Sequence, residues 1–388
     1  MTPEPTAVAA LAAEAYKPLL RAWLGYDPYD MLLSPIISPL SRLHRWFGVG
    51  AVQLGARSPI NLRRLLLVPR QANAKTVSLV ARGCLALWRA GAGDVWRERA
   101  AAALEWLAAS RSKHPEDRAC WGYPFPWRSI LLYLPSGSPS GVCTVFAAEA
   151  MLDAYHTTGE ERWLALARSA CDFILRDLPR VRHDGTACIS YIPGHDVSVH
   201  NANMLAAALL CRVYAITGEE SLLEPVPSAV AYTLRDQNPD GSWFYDGPPD
   251  RPREMIDNYH TLFVLERLLD TEPYAGTDVR EAFRRGAEFW RRKMVGEDGH
   301  PVRKYGKTEP VDIRDVASSL LWLSDPRLGA DWGMWEKVLA WTDSHMLTSR
   351  GHYAFTHGSS RLRSLRHYYP RMQAWMFLAL ACAAERRR

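Results

Sequence analysis

The sequence lacks the segments that mark secreted and membrane-spanning proteins. Its first twenty residues have no basic start and no long apolar core, so we expect no signal peptide. No run of about 18 uncharged apolar residues occurs, so no transmembrane helix is predicted. These absences predict a cytoplasmic protein.

Signatures of metals and cofactors are also missing. The seven cysteines include no CxxC pair, and nothing has the ligand spacing of a zinc site or the pattern of a disulfide framework. The sequence contains no glycine-rich loop of the kind that binds phosphate groups. We therefore expect a protein that works without a metal or an organic cofactor.

Lysine is scarce, and most of the positive charge comes from arginine. Only seven of the 47 basic residues are lysine, and the formal net charge is +5. No basic run is longer than three residues, as at Arg386–Arg388, so nucleic-acid binding is not expected. Arginine pairs bidentately with carboxylates. The 15 Trp and 16 Tyr fit either a large core or a cavity in which aromatic rings stack on sugars.

What the sequence does contain is a repeat of paired helices. Helical periodicity recurs along the chain, and short glycine-containing turns separate the two helices of each pair. Segments 155–160 and 214–219 are versions of one turn, and both end in Thr-Gly-Glu. The first helices begin near residues 75, 142, 199, 257, 311 and 371. A period of roughly 54 to 67 residues is typical of stacked or closed helical arrays.

Five such pairs and a last inner helix predict an all-α protein with a single domain, an (α/α)6 toroid or six-hairpin barrel. The first helix of each pair is rich in alanine and poor in charge, which suits an inner ring. The second helix carries the charged residues expected of an outer ring. We assign the barrel to residues 71–388. Residues 1–70 are expected to supply the missing outer helix and a proline-rich strap packed on the barrel.

The first turns of the inner helices carry many polar side chains. Parallel inner helices would place these turns on one rim, where free backbone N–H groups favour an anionic ligand. His200 and Asn203 are three residues apart and share a helix face, as do Asp257 and His260. Aspartates at helix starts are also common caps, and a lone histidine there is often structural. The rim candidates are His200, Asn201, Asn203, Asp257, Asn258, His260, Asp312, Arg314, Asp315, Arg371 and Gln373.

Aromatic residues are concentrated in the loops that precede the inner helices. Their rings can stack on the C–H faces of sugars, or they can brace neighbouring repeats, which we expect of Trp243. The last loop holds Arg361, Arg363 and Arg366, which either bind carboxylates or lie in solvent. The loop candidates are Trp121, Tyr123, Trp127, Tyr191, Trp243, Tyr245 and Arg361.

The segment from Gln237 to Trp243 resembles a motif of the triterpene cyclases. Its pattern, Gln-x-x-Asp-Gly-Ser-Trp, is similar to the QW repeat that braces helix ends in those enzymes and in related toroids. The resemblance therefore bears on fold more than on activity. The Asp-x-Asp-Asp signature of cyclase catalysis is missing, since the nearest string is Asp312-Ile-Arg314-Asp315. This departure argues against a protonation-driven terpene cyclase.

A wider set of motifs resembles a bacterial family, often labelled VpsJ-like, that is found beside polysaccharide-biosynthesis genes. The segment Ser242 to Asp246, followed by Tyr259 and His260, is also similar to the C-terminal domain of D-glucuronyl C5-epimerases. The motifs of the wider resemblance are Ser58-Pro-Ile-Asn-Leu-Arg, Cys120 to Trp127, His200-Asn-Ala-Asn203, Gln237 to Trp243, Asp257-Asn-Tyr-His260, Val311-Asp312-Ile and Gln373-Ala-Trp-Met376.

These resemblances imply an enzyme that acts on an acidic glycan or glycan precursor, specifically a uronosyl C5-epimerase. They also suggest association with a polysaccharide-assembly complex. Such an enzyme removes the proton at C5, so it needs a base on one face of the sugar, an acid on the other and cations near the carboxylate. The implied roles are His260 or Tyr259 as base, His200 or Tyr191 as acid, Arg314 and Arg371 at the carboxylate, and Trp121, Trp127 and Tyr245 as stacking platforms.

Three other hypotheses about function are compatible with the same residues. Asp257 and Asp312 could serve as the acid and base of a glycoside hydrolase or lyase, for which the distance between the carboxyl groups would indicate the stereochemical course. The aromatic content and the QW-like loop favour a terpenoid cyclase. The third alternative is a non-catalytic scaffold that binds glycans.

Overall fold

Six helices form a closed inner ring. The structure is a computed structural model, and it describes residues 4–20, 23–113, 115, 117–129, 132–358 and 367–388. Each inner helix contacts the next along the chain, and the last contacts the first, which closes the ring. The inner helices are α4 (Ala74–Arg89), α6 (Gly141–Thr158), α8 (His200–Thr217), α10 (Asn258–Thr271), α12 (Ile313–Ser324) and α14 (Pro370–Arg386).

An outer helix packs on each inner helix. The outer helices bury one side against the inner ring, and in the fifth of them Ala287 and Trp290 are buried while Arg284, Arg291 and Arg292 are exposed. The last inner helix, α14, is buried over its whole width from Pro370 to Ala381 because α1 covers its outer side. The outer helices are α1 (Pro5–Tyr16), α5 (Val95–Ala109), α7 (Glu161–Asp177), α9 (Val226–Arg235), α11 (Arg280–Lys293) and α13 (Trp332–His345).

The repeated Thr-Gly-Glu turn ends two inner helices in the same way. Gly159 and Gly218 follow α6 and α8 with φ of 72° and 68°, in the left-handed region that glycine adopts without strain. Their N–H groups donate to the carbonyls of Tyr155 and Tyr214, each at 2.8 Å. The chain then reverses into an outer helix. The sequence similarity between the two turns is thus a similarity of helix caps.

Residues 23–70, here called the N-terminal module, pack beside the start of α14. The module contains α2 (Ile37–Leu43) and α3 (Arg45–Arg57). Gly55 on α3 allows a close approach to Met31, because a Cβ atom there would lie 2.1 Å from the Met31 Cγ. The module has a small core of its own, formed by Met31, Leu32, Ala51, Val52 and Val68.

Short antiparallel strand pairs stiffen the loops at the rim. The pair β5–β6 joins Asp312 to Thr356, so the start of α12 is tied to the loop that precedes α14. The pairs are β1 (Trp127–Arg128) with β2 (Tyr133–Leu134), β3 (Arg180–His183) with β4 (Thr186–Ile189), and β5 (Val311–Asp312) with β6 (Thr356–His357).

The predicted fold is confirmed. The inner helices begin within two residues of the expected positions, and they form a toroid of six helical hairpins. The boundary at residue 70 between strap and barrel stays a prediction. No helix within the described ranges combines the length and apolarity needed to cross a bilayer.

Candidate functional site

The starts of four inner helices meet at one end of the ring. Lys75 of α4 donates a hydrogen bond to the Tyr259 hydroxyl of α10 at 3.0 Å. The Arg314 guanidinium of α12 lies 5.3 Å from the centroid of the Tyr259 ring, and the ring of Trp375 of α14 lies 5.4 Å from it. Tyr259 is therefore at the centre of this end of the barrel, surrounded by cations and aromatic rings.

Asp257 and His260 form a dyad at the start of α10. Asp257 caps the helix by accepting the His260 backbone N–H at 2.9 Å, and its carboxylate lies 2.7 Å from the imidazole Nδ1. Burial alone would raise the pKa of Asp257, but the charge and hydrogen bonds of His260 outweigh it and lower that pKa. Among the described residues, no hydrogen-bond partner is found for Nε2 of His260. This imidazole is 24 % exposed.

A second carboxylate, Asp312, is neutralised by its neighbour Arg314. Arg314 donates from Nε to Oδ1 at 2.9 Å and from Nη2 to Oδ2 at 2.7 Å, and its backbone N–H completes a helix cap. Burial opposes ionisation of Asp312, yet the Arg314 charge prevails and lowers the pKa of Asp312. Neither Asp257 nor Asp312 is thus suited to donate a proton near neutral pH.

Arg371 is held by a carboxylate of the N-terminal module. Its Nε and Nη2 donate to the two oxygens of Asp27 at 2.7 and 2.8 Å. Both side chains are buried. Next to this pair, Arg63 donates to Asp30 at 2.6 Å and to the Tyr369 hydroxyl at 3.1 Å. The module therefore fixes the start of α14 through buried ion pairs.

Asp315 lies beneath this cluster as a buried carboxyl group. Its Oδ1 accepts the backbone N–H of Tyr259 at 3.2 Å. Its Oδ2 is buried and has no hydrogen-bond partner in the part of the chain that the structure describes. Burial, and next the negative charges of Asp312 and Asp257, raise the pKa of Asp315. Asp315 is therefore protonated over a wider pH range than its neighbours.

Three tyrosines of the loops lie at the same end of the barrel as His260 and Arg314, and we call the group the mouth, defined by Tyr123, Tyr191, Tyr245, His260 and Arg314. All five are partly exposed. The Tyr245 ring lies 4.5 Å from the His260 ring, and the Arg371 guanidinium lies 5.6 Å from the Tyr123 ring. Burial raises the pKa of Tyr245 to about 12, and it raises the pKa of Tyr191 well above the usual value of a tyrosine. The phenols are therefore proton donors rather than anions.

Trp127 lies at the edge of this region, beside the N-terminal module. Its ring makes an edge contact with Tyr29 at 5.3 Å, and the Arg371 guanidinium lies 5.6 Å from the same tyrosine. Trp127 is half-buried. It is thus available to a ligand only on its outer side.

His200 does not join the mouth. Its Nε2 lies 2.6 Å from Asp236, and its Nδ1 lies 3.3 Å from the Thr233 hydroxyl, so the ring is held between α8 and α9. The side chain is 1 % exposed. The expectation that His200 faces the same cavity as His260 was wrong, because its helix face points to the outer ring.

Three polar residues at helix starts brace the barrel. Asn203 accepts the Ile189 N–H at 2.8 Å and donates to the Ala229 carbonyl at 2.7 Å. Asn258 accepts the Trp290 indole N–H at 2.8 Å and donates to Met294. All three side chains are buried, so their hydrogen bonds are used within the fold. The third, Gln373, joins Tyr353 to Ala15.

Two tryptophans brace the outer helices in the same manner. Trp121 donates its indole N–H to the Leu107 carbonyl at 2.9 Å, and Trp243 donates to the Thr233 carbonyl at 2.8 Å. Both are buried, which agrees with the bracing expected of Trp243 and argues against stacking on sugars by Trp121. Asn201 is buried with Oδ1 unpartnered among the described residues. Arg361, Arg363 and Arg366 lie outside the described residues.

Lys75 and Asp27 were not predicted from the sequence as residues of the site, and Asp315 was predicted there without a role. Lys75 carried a usable signal, since it is one of seven lysines and begins the first inner helix. Asp315 was recognised at the start of α12, but its burial against α10 depends on how α12 is rotated about its own axis. Asp27 lies in an irregular segment that has no periodicity. Within the described ranges, no three His, Cys, Asp or Glu side chains are grouped as a metal ion requires.

Comparisons with known proteins identify the fold. Neither a family model nor a curated protein matches the sequence. A sugar epimerase from a ruminal bacterium is similar with a TM-score of 0.62 at 12% identity, over 96% of this chain and 98% of that chain. A cellobiose 2-epimerase from Bacillus thermoamylovorans has a TM-score of 0.59 at 12% identity, over 80% and 87%. A GH76 α-mannanase from Bacteroides thetaiotaomicron has a TM-score of 0.60 at 13% identity, over 80% and 85%.

These neighbours share the α/α toroid. At such low identity the likeness establishes the fold alone. The resemblances to the VpsJ-like family and to the glucuronyl epimerase domain stay predictions.

Proposed function

We propose that this protein is a carbohydrate-active enzyme that moves a proton at the carbon next to the carboxylate of an acidic sugar, as a uronosyl C5-epimerase does. The observation that carries the proposal is the Asp257–His260 dyad. Asp257 holds Nδ1 of the imidazole, so Nε2 is left to face a ligand in the mouth. In a base of this type the carboxylate orients the ring and stabilises the imidazolium that forms.

Cations beside the dyad suit a sugar carboxylate. Arg314 and Arg371 each use Nε and Nη2 on a protein carboxylate. No partner is found for Nη1 of either arginine among the described residues, so each keeps donors for a ligand. Lys75 lies close by without an ion-pair partner in the described part of the chain. These donors would stabilise the enolate-like charge that develops when the C5 proton leaves.

Proton return to the opposite face needs a second acid. With His200 held in the outer ring, Tyr191 is the donor that we propose. Burial raises the pKa of Tyr191 and keeps the phenol protonated. His260 would take the C5 proton, and Tyr191 would deliver one to the other face before exchange with water restores both groups.

The alternative functions have less support from the geometry. Asp257 and Asp312 are both engaged by basic side chains, and their lowered pKa values oppose a role as the acid of a hydrolase. A cavity below Tyr259, between α10, α12 and α14, has a volume of about 60 Å³, which is small for a terpenoid. A lyase begins with the same proton abstraction and differs in the product.

The test is deuterium incorporation at C5. Oligosaccharides containing glucuronate, mannuronate or galacturonate would be incubated with the protein in D₂O and analysed by NMR and mass spectrometry. We expect loss of the C5 proton signal and a gain in mass with at least one of them. A lyase would instead produce an unsaturated sugar that absorbs in the ultraviolet. Turnover of a uronate without C5 exchange would refute the proposal.

The Asp257→Asn variant sharpens this test. Asparagine caps helices about as well as aspartate, so the fold is retained while the charge beside His260 is lost. We expect exchange to slow on the order of 10²-fold. The matched control is Asp331→Asn, which makes the same change at the cap of α13, on the outer ring. Equal exchange by both variants would show that Asp257 is only a helix cap.

A further inference from the structure

Exposed apolar side chains are concentrated in the N-terminal module. Among the described residues, sixteen large hydrophobic side chains are exposed, and ten of them belong to this module. Single exposed hydrophobic residues are normal on a protein surface, whereas a concentration of this kind marks an interaction site. The ten are Leu24, Ile36, Leu40, Leu43, Trp46, Phe47, Leu54, Ile60, Leu65 and Leu67.

Helix α3 shows that this exposure is built into the module. Its small residues face the protein, where Gly48 and Gly55 allow close approach to Arg128 and Met31. Its large residues face outward, and Trp46, Phe47 and Leu54 are 49%, 61% and 48% exposed. A surface helix normally buries its bulky apolar face. In α3 the arrangement is reversed, and the glycines prevent the helix from rotating.

The charge around these residues has one sign. The sequence contains no Asp or Glu from Met31 to Gly93. Within the module the exposed charged side chains include Arg45, Arg57, Arg64 and Arg70. Apolar and cationic side chains are therefore both exposed on the module, whereas its two acidic residues, Asp27 and Asp30, are buried. This composition complements a surface that is both anionic and apolar beneath its charged layer.

We propose that the N-terminal module binds peripherally to an anionic lipid bilayer. Trp46, Phe47 and the exposed leucines enter the boundary between headgroups and acyl chains, as the apolar face of an interfacial helix does. The arginines contact the lipid phosphates, and their attraction to the anionic surface is strongest at low salt. This proposal is independent of the reaction that the mouth performs.

The module also contacts the mouth region, so lipid binding has a defined orientation. Asp27 of the module holds Arg371, and Tyr29 contacts Trp127. These ion pairs and ring contacts fix the module relative to the barrel, so the whole protein would be oriented by the module when it binds.

The experiment is co-sedimentation of the full chain with vesicles. Phosphatidylcholine vesicles with and without phosphatidylglycerol would be compared at low and high salt. We expect binding to the vesicles that contain phosphatidylglycerol, with affinity falling as salt increases. Absence of binding to these vesicles at low salt would overturn the proposal.

Two double variants identify the contributing side chains. Trp46→Ser with Phe47→Ser removes apolar contacts, and Arg57→Glu with Arg64→Glu reverses charge. Each is expected to weaken vesicle binding on the order of tenfold or more. The matched controls are Val95→Ser with Leu347→Ser, which are exposed outside the module, and Arg176→Glu with Arg292→Glu on the outer helices.

Two outcomes count against the lipid surface even when vesicles bind. Equal loss of binding in the control variants would mean that the module is not responsible. If the Trp46→Ser and Phe47→Ser variant changes only self-association, measured by light scattering, then the surface contacts a second copy of the chain. Circular dichroism of each variant would verify that the fold is retained.

Discussion

Lys75 is the residue whose environment is least expected for its chemistry. Its ammonium group is buried, donates to Tyr259 at 3.0 Å and lies 4.0 Å from the centroid of the Phe146 ring. Burial, and next the positive charge of Arg371, lower the pKa of Lys75 to about 7. Lys75 therefore changes its protonation state near neutral pH, whereas an ordinary lysine stays protonated there.

This environment predicts that Lys75→Met stabilises the protein in a pH-dependent way. The unfolded chain keeps this proton up to about pH 10.5, whereas the folded protein loses it near 7. Folding therefore releases a proton between these values, and the wild-type free energy of unfolding rises with pH. The advantage of Lys75→Met is greatest at and below pH 7 and shrinks by up to about 1.4 kcal/mol per pH unit above it.

Denaturant unfolding of both proteins between pH 6 and about 10 measures this difference. Loss of the hydrogen bond to Tyr259 costs about 1 kcal/mol at every pH. It therefore lowers the stability of the variant by a constant amount and does not change how the stability difference depends on pH. Lys293→Met removes an exposed lysine from α11 and serves as the control. A stability difference for Lys75→Met that does not vary with pH would contradict the prediction.

At the scale of the elements, the first turn of an inner helix performs two tasks. One face points to the mouth, where His260 and Arg314 lie. The other points to the outer ring, where Asn203 joins β4 to α9. Buried backbone N–H and C=O groups must be hydrogen-bonded. In loops that enter a helical barrel, several of these groups have no backbone partner. The asparagine side chains supply these partners.

Asn203→Ala is therefore expected to destabilise the fold without altering the site. It leaves the Ile189 N–H buried and unsatisfied and removes the hydrogen bond to the Ala229 carbonyl, at a cost of about 1–3 kcal/mol. The measurement is chemical denaturation, combined with the rate of C5 exchange in the folded protein, which should not change. Asn201→Ala on the same turn is the control, because its Oδ1 has no partner among the described residues. Equal stability losses would show that Asn203 has no special bracing role.

These elements show how far sequence reasoning extends. The period and the repeated cap at Gly159 and Gly218 predicted the ring, because local caps and apolar periodicity determine each hairpin. Spacing correctly predicted which residues share a helix face. It could not predict the direction of that face, because an inner helix is buried on all sides and has no apolar stripe to orient it. His200 and His260 therefore looked equivalent, although they point to different parts of the barrel.

At the scale of the whole molecule, the two ends of the barrel have different chemistry. The end described above brings together candidate ligand-binding groups. Deeper along the inner helices, ion pairs connect neighbouring helices around the ring. Glu149 of α6 accepts hydrogen bonds from Arg82 of α4 at 2.6 Å and from Arg212 of α8 at 3.4 Å, and it forms an ion pair with Arg267 of α10 at 2.9 Å. One carboxylate thus links four inner helices.

This position predicts that Glu149→Gln weakens closure of the ring. Glutamine keeps the shape but removes the one carboxylate that the three guanidinium groups share, which leaves Asp153 to pair with Arg82 and Arg212, and Asp270 to pair with Arg267. Breaking a buried ion pair from one side costs about 3–5 kcal/mol, so the midpoint of denaturant unfolding should fall clearly. The control is Glu281→Gln, which removes an exposed pair with Arg284 on α11 and should leave the midpoint unchanged. If Glu149→Gln behaves like this control, closure of the barrel rests on apolar packing between the inner helices, and the ion pairs only fill the space that the packing leaves.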